Sequence, residues 1–173
     1  MFSFRDSKNT FGKQSDLELF MAKQSAGILM YRLGRGFLEV LIVHPGGPLW
    51  KNKDSGAWSI PKGEFFPGED PLENAIREFE EELGSPLDGE FRTLKPVRQK
   101  AGKLVQAFAV EGDLDTANIQ SNKFTMEWPP RSGKIQEFHE IARAERFDLI
   151  TAREKINPAQ CPFLDELGER VGE

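Results

Sequence analysis

The sequence predicts an α+β domain in which a mixed β-sheet packs with at least two helices. Apolar and β-branched runs separated by turn residues, typical of strands, occur between 25 and 43 and again between 90 and 128. Helical periodicity occurs in one segment with clear end signals, 71 to 83, and again between 151 and 171. The 173 residues, of which 38% are hydrophobic, are enough to bury a real core.

Two strands are predicted near the start of the chain. Residues 1 to 22 are polar and without periodicity, so we expect a flexible tail there and a single domain from 23 to 171. Residues 25 to 32 and 37 to 43 form the two strands, joined by a Gly-Arg-Gly turn. The loop that follows contains His44, and a lone histidine at a strand end more often caps or packs than catalyses.

The next element is a helix predicted from Pro71 to Leu83. Asp70 is a good N-cap, and proline suits the first helical position. Glu73 completes a capping box three residues after the cap. Gly84 can end the helix in a left-handed conformation. Sequence signals therefore mark both ends of this helix.

The second half of the chain contains further strands and two closing helical segments. Residues 90 to 98 and 104 to 111 alternate around a KAGK turn, as expected for a hairpin. The remaining predictions are a strand at 124 to 128, a loop with the sequence PPRSGK, a last strand at 146 to 149, and helical segments at 151 to 156 and 161 to 171.

One face of the predicted helix carries three glutamates. At about 100° per residue, Glu78, Glu81 and Glu82 share an arc beside the apolar stripe that contains Phe79. Like charges at these spacings repel, so the simplest interpretation is a solvated acidic face. The alternative is a site for a hard divalent cation such as Mg²⁺, which takes oxygen ligands and shares them with substrate phosphates.

Residues 63 to 85 resemble the Nudix box, GX5EX7REUXEEXGU, in which U is a bulky hydrophobic residue. The residues that carry the resemblance are Gly63, Glu69, Arg77, Glu78, Phe79, Glu81, Glu82 and Gly84. Ser85 departs from the pattern at the last position, which weakens local packing and leaves the charged positions untouched. The resemblance implies a Nudix-type α/β/α sandwich, with the mixed β-sheet between helices.

The resemblance also implies roles for the charged residues. Glu78, Glu81 and Glu82 would hold Mg²⁺, with Mn²⁺ as a substitute, and Glu69 would contribute through water. Glu81, Glu82 or an acidic residue outside the box would take the proton from water. Glu140 fits that outside position best, with Glu137 as its substitute, although an exposed glutamate without function is the alternative.

A positioning role is expected for Arg77, and substrate contacts for three further residues. Arg77 can hold a glutamate in the right rotamer through a bidentate pair. The approach WSIPKG, from 58 to 63, resembles that of Nudix enzymes acting on dinucleoside polyphosphates and diphosphoinositol polyphosphates. Lys62 would therefore meet a phosphate, and Trp58 would either contact the substrate or supply packing. Arg131, in the PPRSGK loop, would contact phosphate or nothing at all.

Composition excludes several function classes. A net charge of −5 argues against broad nucleic-acid binding, which needs basic residues, so only capped ends remain possible nucleic-acid partners. The single cysteine cannot form an internal disulfide, and no secretory signal is visible. No apolar run approaches the ~20 residues of a membrane span. We therefore expect a cytoplasmic protein without membrane contact.

The resemblance favours Mg²⁺-dependent hydrolysis of a diphosphate linkage in a nucleoside diphosphate linked to another moiety. The substrate would be a small phosphorylated nucleotide. Dinucleoside polyphosphates are the preferred class, and nucleotide sugars or nucleoside triphosphates are alternatives. A non-catalytic nucleotide sensor on the same fold is a third possibility. An isomerase of the isopentenyl diphosphate type would need a reactive cysteine near the substrate, whereas Cys161 lies far from the box in sequence.

Overall fold

A computed structural model describes residues 23 to 172, and the expected tail, residues 1 to 22, lies outside the described residues. The described chain consists of strands, three α-helices and two short 3₁₀ turns. In order, these are β1 (Gln24–Gly34), β2 (Phe37–Pro45), β3 (Lys62–Phe65), α1 (Pro71–Leu83), β4 (Arg92–Thr93), β5 (Val97–Arg98), β6 (Leu104–Glu111), β7 (Lys123–Glu127), β8 (Ile135–His139), β9 (Ile141–Asp148), α2 (Leu149–Lys155) and α3 (Cys161–Val171).

The main sheet is mixed, as the sequence predicts. Its strand order is β4-β6-β1-β2-β9, with β3 paired to the first residues of β1 and β5 paired to β6. The pair β1 and β6 is parallel, and the other pairs are antiparallel. Strands β7 and β8 form a separate antiparallel hairpin. The central strand β1 therefore contacts β3, which leads directly into α1.

Two apolar cores lie on opposite faces of this sheet. Successive residues of a strand point to opposite faces, so Ile28 packs in the core beneath α1, and Leu29 packs in the core beneath α2 and α3. Phe79 anchors α1 in the first core, and Phe163 anchors α3 in the second. The sheet thus lies between helices, which confirms the predicted α/β/α sandwich. No helix in residues 23 to 172 could cross a membrane.

The helix α1 has the bounds that the sequence predicts. The Asp70 side chain accepts a hydrogen bond from the backbone N of Glu73 at 2.9 Å, and Gly84 ends the helix with a φ of 68°. Asn74 was not singled out by the sequence, yet it is buried, and its Nδ2 donates to the Gly63 carbonyl at 3.4 Å. This contact connects the helix to β3.

The largest difference from the sequence prediction lies between 135 and 149. The sequence predicts one strand, at 146 to 149, whereas the structure has β8 and the long strand β9. The side chain of Asp148 accepts a hydrogen bond from the backbone N of Thr151 at 2.9 Å, so Leu149 starts α2 instead of ending a strand. Strand β8 is mostly exposed, so its sequence lacks the apolar alternation of a half-buried strand.

Candidate active site

The backbone of β3 contacts two of the three glutamates that share one arc of α1. The backbone N of Lys62 donates to Oε2 of Glu82 at 3.2 Å. At the next residue, a Cβ built on Gly63 would lie 1.9 Å from Cδ of Glu78, so only glycine leaves room for that carboxylate. Glu78 and Glu82 therefore both lie against the start of β3.

Burial dominates the electrostatics of this pair. The Glu78 side chain is 19% exposed, and burial raises its pKa, an effect that Arg77 opposes. Burial raises the pKa of Glu82 further, to about 8 from its usual 4.5, while the Lys62 charge opposes the rise and the charges of Glu78 and Glu140 add to it. A positive charge placed between the two carboxylates would favour their ionised forms.

Lys62 lies beside the carboxylate pair, and a second lysine, Lys103, lies near Lys62. Burial lowers the pKa of Lys62, and the nearby charge of Lys103 lowers it further, while Glu82, Glu64 and Glu78 act in the opposite direction. The Nζ of Lys103 lies 3.0 Å from Oε1 of Glu64. Sequence reasoning placed Lys62 here and missed Lys103, because only the fold brings the turn after β5 to the start of β3.

Arg77 contacts two glutamates instead of forming a bidentate pair with one of them. Its Nη2 is 3.4 Å from Oε1 of Glu78, and its Nη1 is 3.4 Å from Oε1 of Glu81. Nη2 also donates to Oδ1 of Asn74, so part of the guanidinium is already engaged. This single contact to each glutamate replaces the predicted bidentate pair. Glu81 remains 42% exposed and points toward Arg77.

The side chains at this site offer the oxygen ligands that a hard divalent cation takes. Glu78 and Glu82 are oxygen donors whose burial disfavours their charge, and Gly63 leaves space at the first of them. Within residues 23 to 172, however, no three Asp, Glu, His or Cys side chains converge as a metal site does. Glu81 would have to leave Arg77 to join the other two.

The structure separates Glu140 from its substitute Glu137. Glu140 lies between β8 and β9, and its charge acts on both Glu78 and Glu82. Glu137 instead forms an ion pair with Lys123 at 2.8 Å, which lowers the pKa of Glu137. Glu140 is therefore the acidic residue outside the box that the fold brings near the pair.

Glu69 and Arg131 lie in loops outside β3 and α1. Oε2 of Glu69 accepts a hydrogen bond from the backbone N of Phe66 at 2.7 Å and closes the turn before α1. No hydrogen bond or ion pair joins it to the three glutamates in the described part of the chain. Arg131 is exposed in the connection between β7 and β8, with a φ of 63°.

Trp58 is a core residue with 1% of its surface exposed. Its Nε1 donates to Oδ1 of Asp54 at 2.7 Å, and the rings of His44 and Phe147 pack against it in edge contacts at 5.1 and 5.2 Å. A base therefore finds no open ring face at Trp58. The two ring nitrogens of His44 lie near the carbonyls of Pro45 and Lys53, which is a packing role.

Cys161 lies at the start of α3, against the core on the opposite face of the sheet from α1. Its Sγ lies 3.7 Å from the Arg153 carbonyl. An isomerase mechanism of the kind considered above would need a thiol beside the substrate, so the position of Cys161 counts against it.

The raised pKa of Glu82 predicts a pH dependence of stability in metal-free protein. Below its usual pKa of 4.5 the carboxyl is protonated in both the folded and unfolded chains, and above about 8 the folded chain must bury a charge. The free energy of unfolding should therefore fall as pH rises from 4.5 to about 8, by a few kcal/mol at most. Urea unfolding in EDTA at a series of pH values across this range measures the free energy of unfolding. Glu82→Gln should flatten the profile, and identical profiles would contradict the assignment.

The sequence matches the model of the NUDIX domain family over residues 21–167. No curated protein matches the chain. Among solved structures, the C. elegans Ap4A hydrolase in a binary complex has a TM-score of 0.59 and 19% identity, covering 86% of this chain and 98% of that chain.

Two other solved structures are similar to a comparable degree. The NUDIX domain of Shewanella oneidensis NrtR complexed with ADP ribose has a TM-score of 0.58 and 13% identity, covering 94% of this chain and 99% of that chain. A mutT/nudix family protein from Listeria innocua has a TM-score of 0.57 and 15% identity, covering 87% of this chain and 94% of that chain. At such low identity these similarities concern the fold alone.

Proposed function

Because this chain belongs to the Nudix family of hydrolases, which act on phosphorus-containing anhydrides, we propose that it is a Mg²⁺-dependent pyrophosphohydrolase. Its substrate is a nucleoside diphosphate linked to another moiety, and dinucleoside polyphosphates are the preferred class. The observation that carries the proposal is the half-buried pair Glu78 and Glu82, which lies against β3 and beside the Lys62 charge. This arrangement suits an anionic diphosphate and a divalent cation together.

Glu78 and Glu82 would hold the cation, and Glu81 would join them by leaving Arg77. When bound, Mg²⁺ neutralises phosphate charge and acidifies water. Glu69, which forms no hydrogen bond or ion pair with the pair within residues 23 to 172, would contribute through water. The family in general uses divalent cations, and Mg²⁺, with Mn²⁺ as a substitute, suits a site of oxygen donors.

The other residues orient the substrate and move the proton. The Lys62 ammonium attracts a phosphate oxygen, and its backbone N holds Oε2 of Glu82, which leaves Oε1 available to the attacking water. Glu82 is one candidate for the base because the backbone of β3 holds its carboxylate in place, and Glu140, whose charge acts on the pair, is the other. Arg77 contacts both Glu78 and Glu81 and would orient their carboxylates.

Two observations support the substrate class. The WSIPKG approach resembles that of enzymes acting on dinucleoside polyphosphates. Two similar structures are an Ap4A hydrolase and a domain complexed with ADP ribose, and both compounds join an adenosine phosphate to another group through a diphosphate linkage. Nucleotide sugars and nucleoside triphosphates contain the same linkage and are the alternatives. The enzyme would meet these small nucleotides in the cytoplasm, without membrane contact.

A substrate panel tests the proposal. The panel contains Ap4A, ADP-ribose, a nucleotide sugar and a nucleoside triphosphate, each with Mg²⁺, with Mn²⁺ and with excess EDTA. Chromatographic separation of each substrate from its nucleotide products reports hydrolysis under all three metal conditions. We expect turnover with Mg²⁺, fastest on Ap4A, and none in EDTA. Full activity in EDTA would contradict the metal requirement, and binding without turnover across the panel would indicate a nucleotide sensor.

Gly63→Ala should impair activity more than stability. A Cβ at this position would lie 1.9 Å from Cδ of Glu78, and the end of that side chain can move aside. We therefore expect a loss of at least about tenfold in kcat, since small displacements of catalytic groups are costly. Gly112→Ala is the matched control, because its Cβ would meet only the flexible end of Met30, at 3.2 Å. Equal kcat values for the two variants would contradict this role of Gly63.

A further inference from the structure

The structure contains a cavity of about 780 Å³ between the loop after β2 and the β7–β8 hairpin. Resting on the proposed function, we infer that this cavity binds a nucleoside 5′-phosphate moiety of the substrate, the part that lies beyond the bond to be cleaved. Its volume is within the range of small-molecule sites, about 300–1,000 Å³.

The two walls of the cavity are joined near the carboxylates. The backbone N of Gly46 donates to the carbonyl of Glu140 at 2.8 Å. A Cβ built on Gly46 would lie 1.8 Å from the carbonyl oxygen of His139, so only glycine permits this approach. The charge of Glu140 acts on Glu78 and Glu82. The cavity and the carboxylate pair therefore adjoin the same short segment.

The hairpin wall offers aromatic surface to a base. Trp128 and Phe138 line the cavity and are only partly buried, so their rings retain accessible surface. The Phe138 ring packs on Phe124 with centroids 5.9 Å apart, and Nε2 of Gln136 donates to the Trp128 carbonyl at 2.8 Å. These contacts hold the two aromatic residues in place. Stacking on such rings is the usual way that proteins bind bases without reading their sequence.

The charge of the cavity suits a phosphate. Lys51 and Arg143 line it, and no Asp or Glu is among the lining residues, although the chain as a whole carries −5. The Arg143 guanidinium lies over the buried Trp58 ring at 5.0 Å, and its Nη1 lies 3.5 Å from Oε1 of Glu145. Its side chain is still 55% exposed, and the pair with Glu145 leaves Lys51 as the lining cation without an acidic partner in the described residues. A local basic patch of this kind attracts anions despite the net negative charge. Base and phosphate together define a nucleoside phosphate.

Calorimetric titration with adenosine 5′-monophosphate and with adenosine, in EDTA, tests this inference. Adenosine 5′-monophosphate has no diphosphate linkage, so its binding is independent of hydrolysis and of the cation. Trp128→Leu should weaken both ligands by roughly tenfold, and Trp128→Phe should restore most of the affinity. Lys51→Met should lower the affinity for the monophosphate several-fold and make that affinity less dependent on salt concentration. The affinity for adenosine should not change.

The controls are Trp50→Leu and Lys134→Met, which change an aromatic residue and a lysine that do not line the cavity. Both should bind like wild type. Wild-type protein that binds no monophosphate at millimolar concentration, or Trp128 and Lys51 variants that bind it unchanged, would overturn the inference. If binding follows this pattern but the substrate panel shows no hydrolysis, the proposed function fails and the cavity assignment stands. If the substrate panel shows hydrolysis but binding does not follow this pattern, the proposed function stands and the cavity assignment fails.

Discussion

Glu82→Gln is expected to lower kcat by at least about 100-fold while the protein keeps its fold. Glutamine has the size of glutamate and can still accept the hydrogen bond from the backbone N of Lys62, so the local geometry survives. It cannot take a proton, and it is a weaker ligand for a cation. Because glutamine is neutral in both the folded and the unfolded chain, folding no longer has to protonate Glu82 or bury its charge, and the melting temperature in EDTA near neutral pH should not fall.

Glu80→Gln is the matched control for this prediction. Glu80 lies on the same helix, is exposed, and accepts a hydrogen bond from the backbone N of Leu87 at 3.0 Å, which a glutamine oxygen can also accept. Its kcat should equal that of wild type. Steady-state kinetics and circular dichroism of both variants give the answer. A Glu82→Gln enzyme with wild-type turnover would exclude the proposed mechanism.

Mg²⁺ should raise the melting temperature by about 5–10 °C at a hundredfold excess over its Kd. Binding to the folded state alone adds RT ln(1 + [L]/Kd), about 2.7 kcal/mol at this excess. For a domain of this size each kcal/mol raises the melting temperature by about 2–4 °C. The physical cause is relief of the unfavourable burial of the Glu78 and Glu82 charges.

Glu81→Gln separates a metal site from a solvated acidic face. Without Mg²⁺ the variant loses an exposed pair with Arg77, worth under about 1 kcal/mol, and also loses the repulsion with Glu78, so its stability should be close to that of wild type or higher. With Mg²⁺ its gain should shrink, whereas Glu80→Gln should show the full gain. Thermal melts over a Mg²⁺ titration at constant ionic strength measure this. Parallel curves for all three proteins would mean that Mg²⁺ acts only by screening.

The elements with local signals were predicted closely. Helix α1 has its predicted bounds because Asp70 and Gly84 determine its ends through contacts with their immediate neighbours. Strands β1 and β2 and helix α3 follow from apolar periodicity. Strand β8 was missed because it pairs only with β7 and is mostly exposed, so burial leaves no pattern in its sequence.

Within the candidate site, the sequence treats the three glutamates as equivalent, and the structure distinguishes them. Glu78 and Glu82 lie against the backbone of β3, while Glu81 remains half-exposed beside Arg77. Their side chains share one arc of the helix, so helical spacing alone could not reveal the difference. Lys103 had no sequence signal for a role at the site, because it reaches Lys62 only through the fold.

The sequence by itself determined the helix that carries the glutamates, the mixed sheet and the family. These depend on capping, periodicity and motif spacing, which are interactions over a few residues. Only the tertiary structure decided which glutamates are half-buried against β3, that Glu140 rather than Glu137 lies near them, and that Trp58 belongs to the core. Burial and charge interactions depend on atoms brought together from distant parts of the chain, and local spacing contains no information about them.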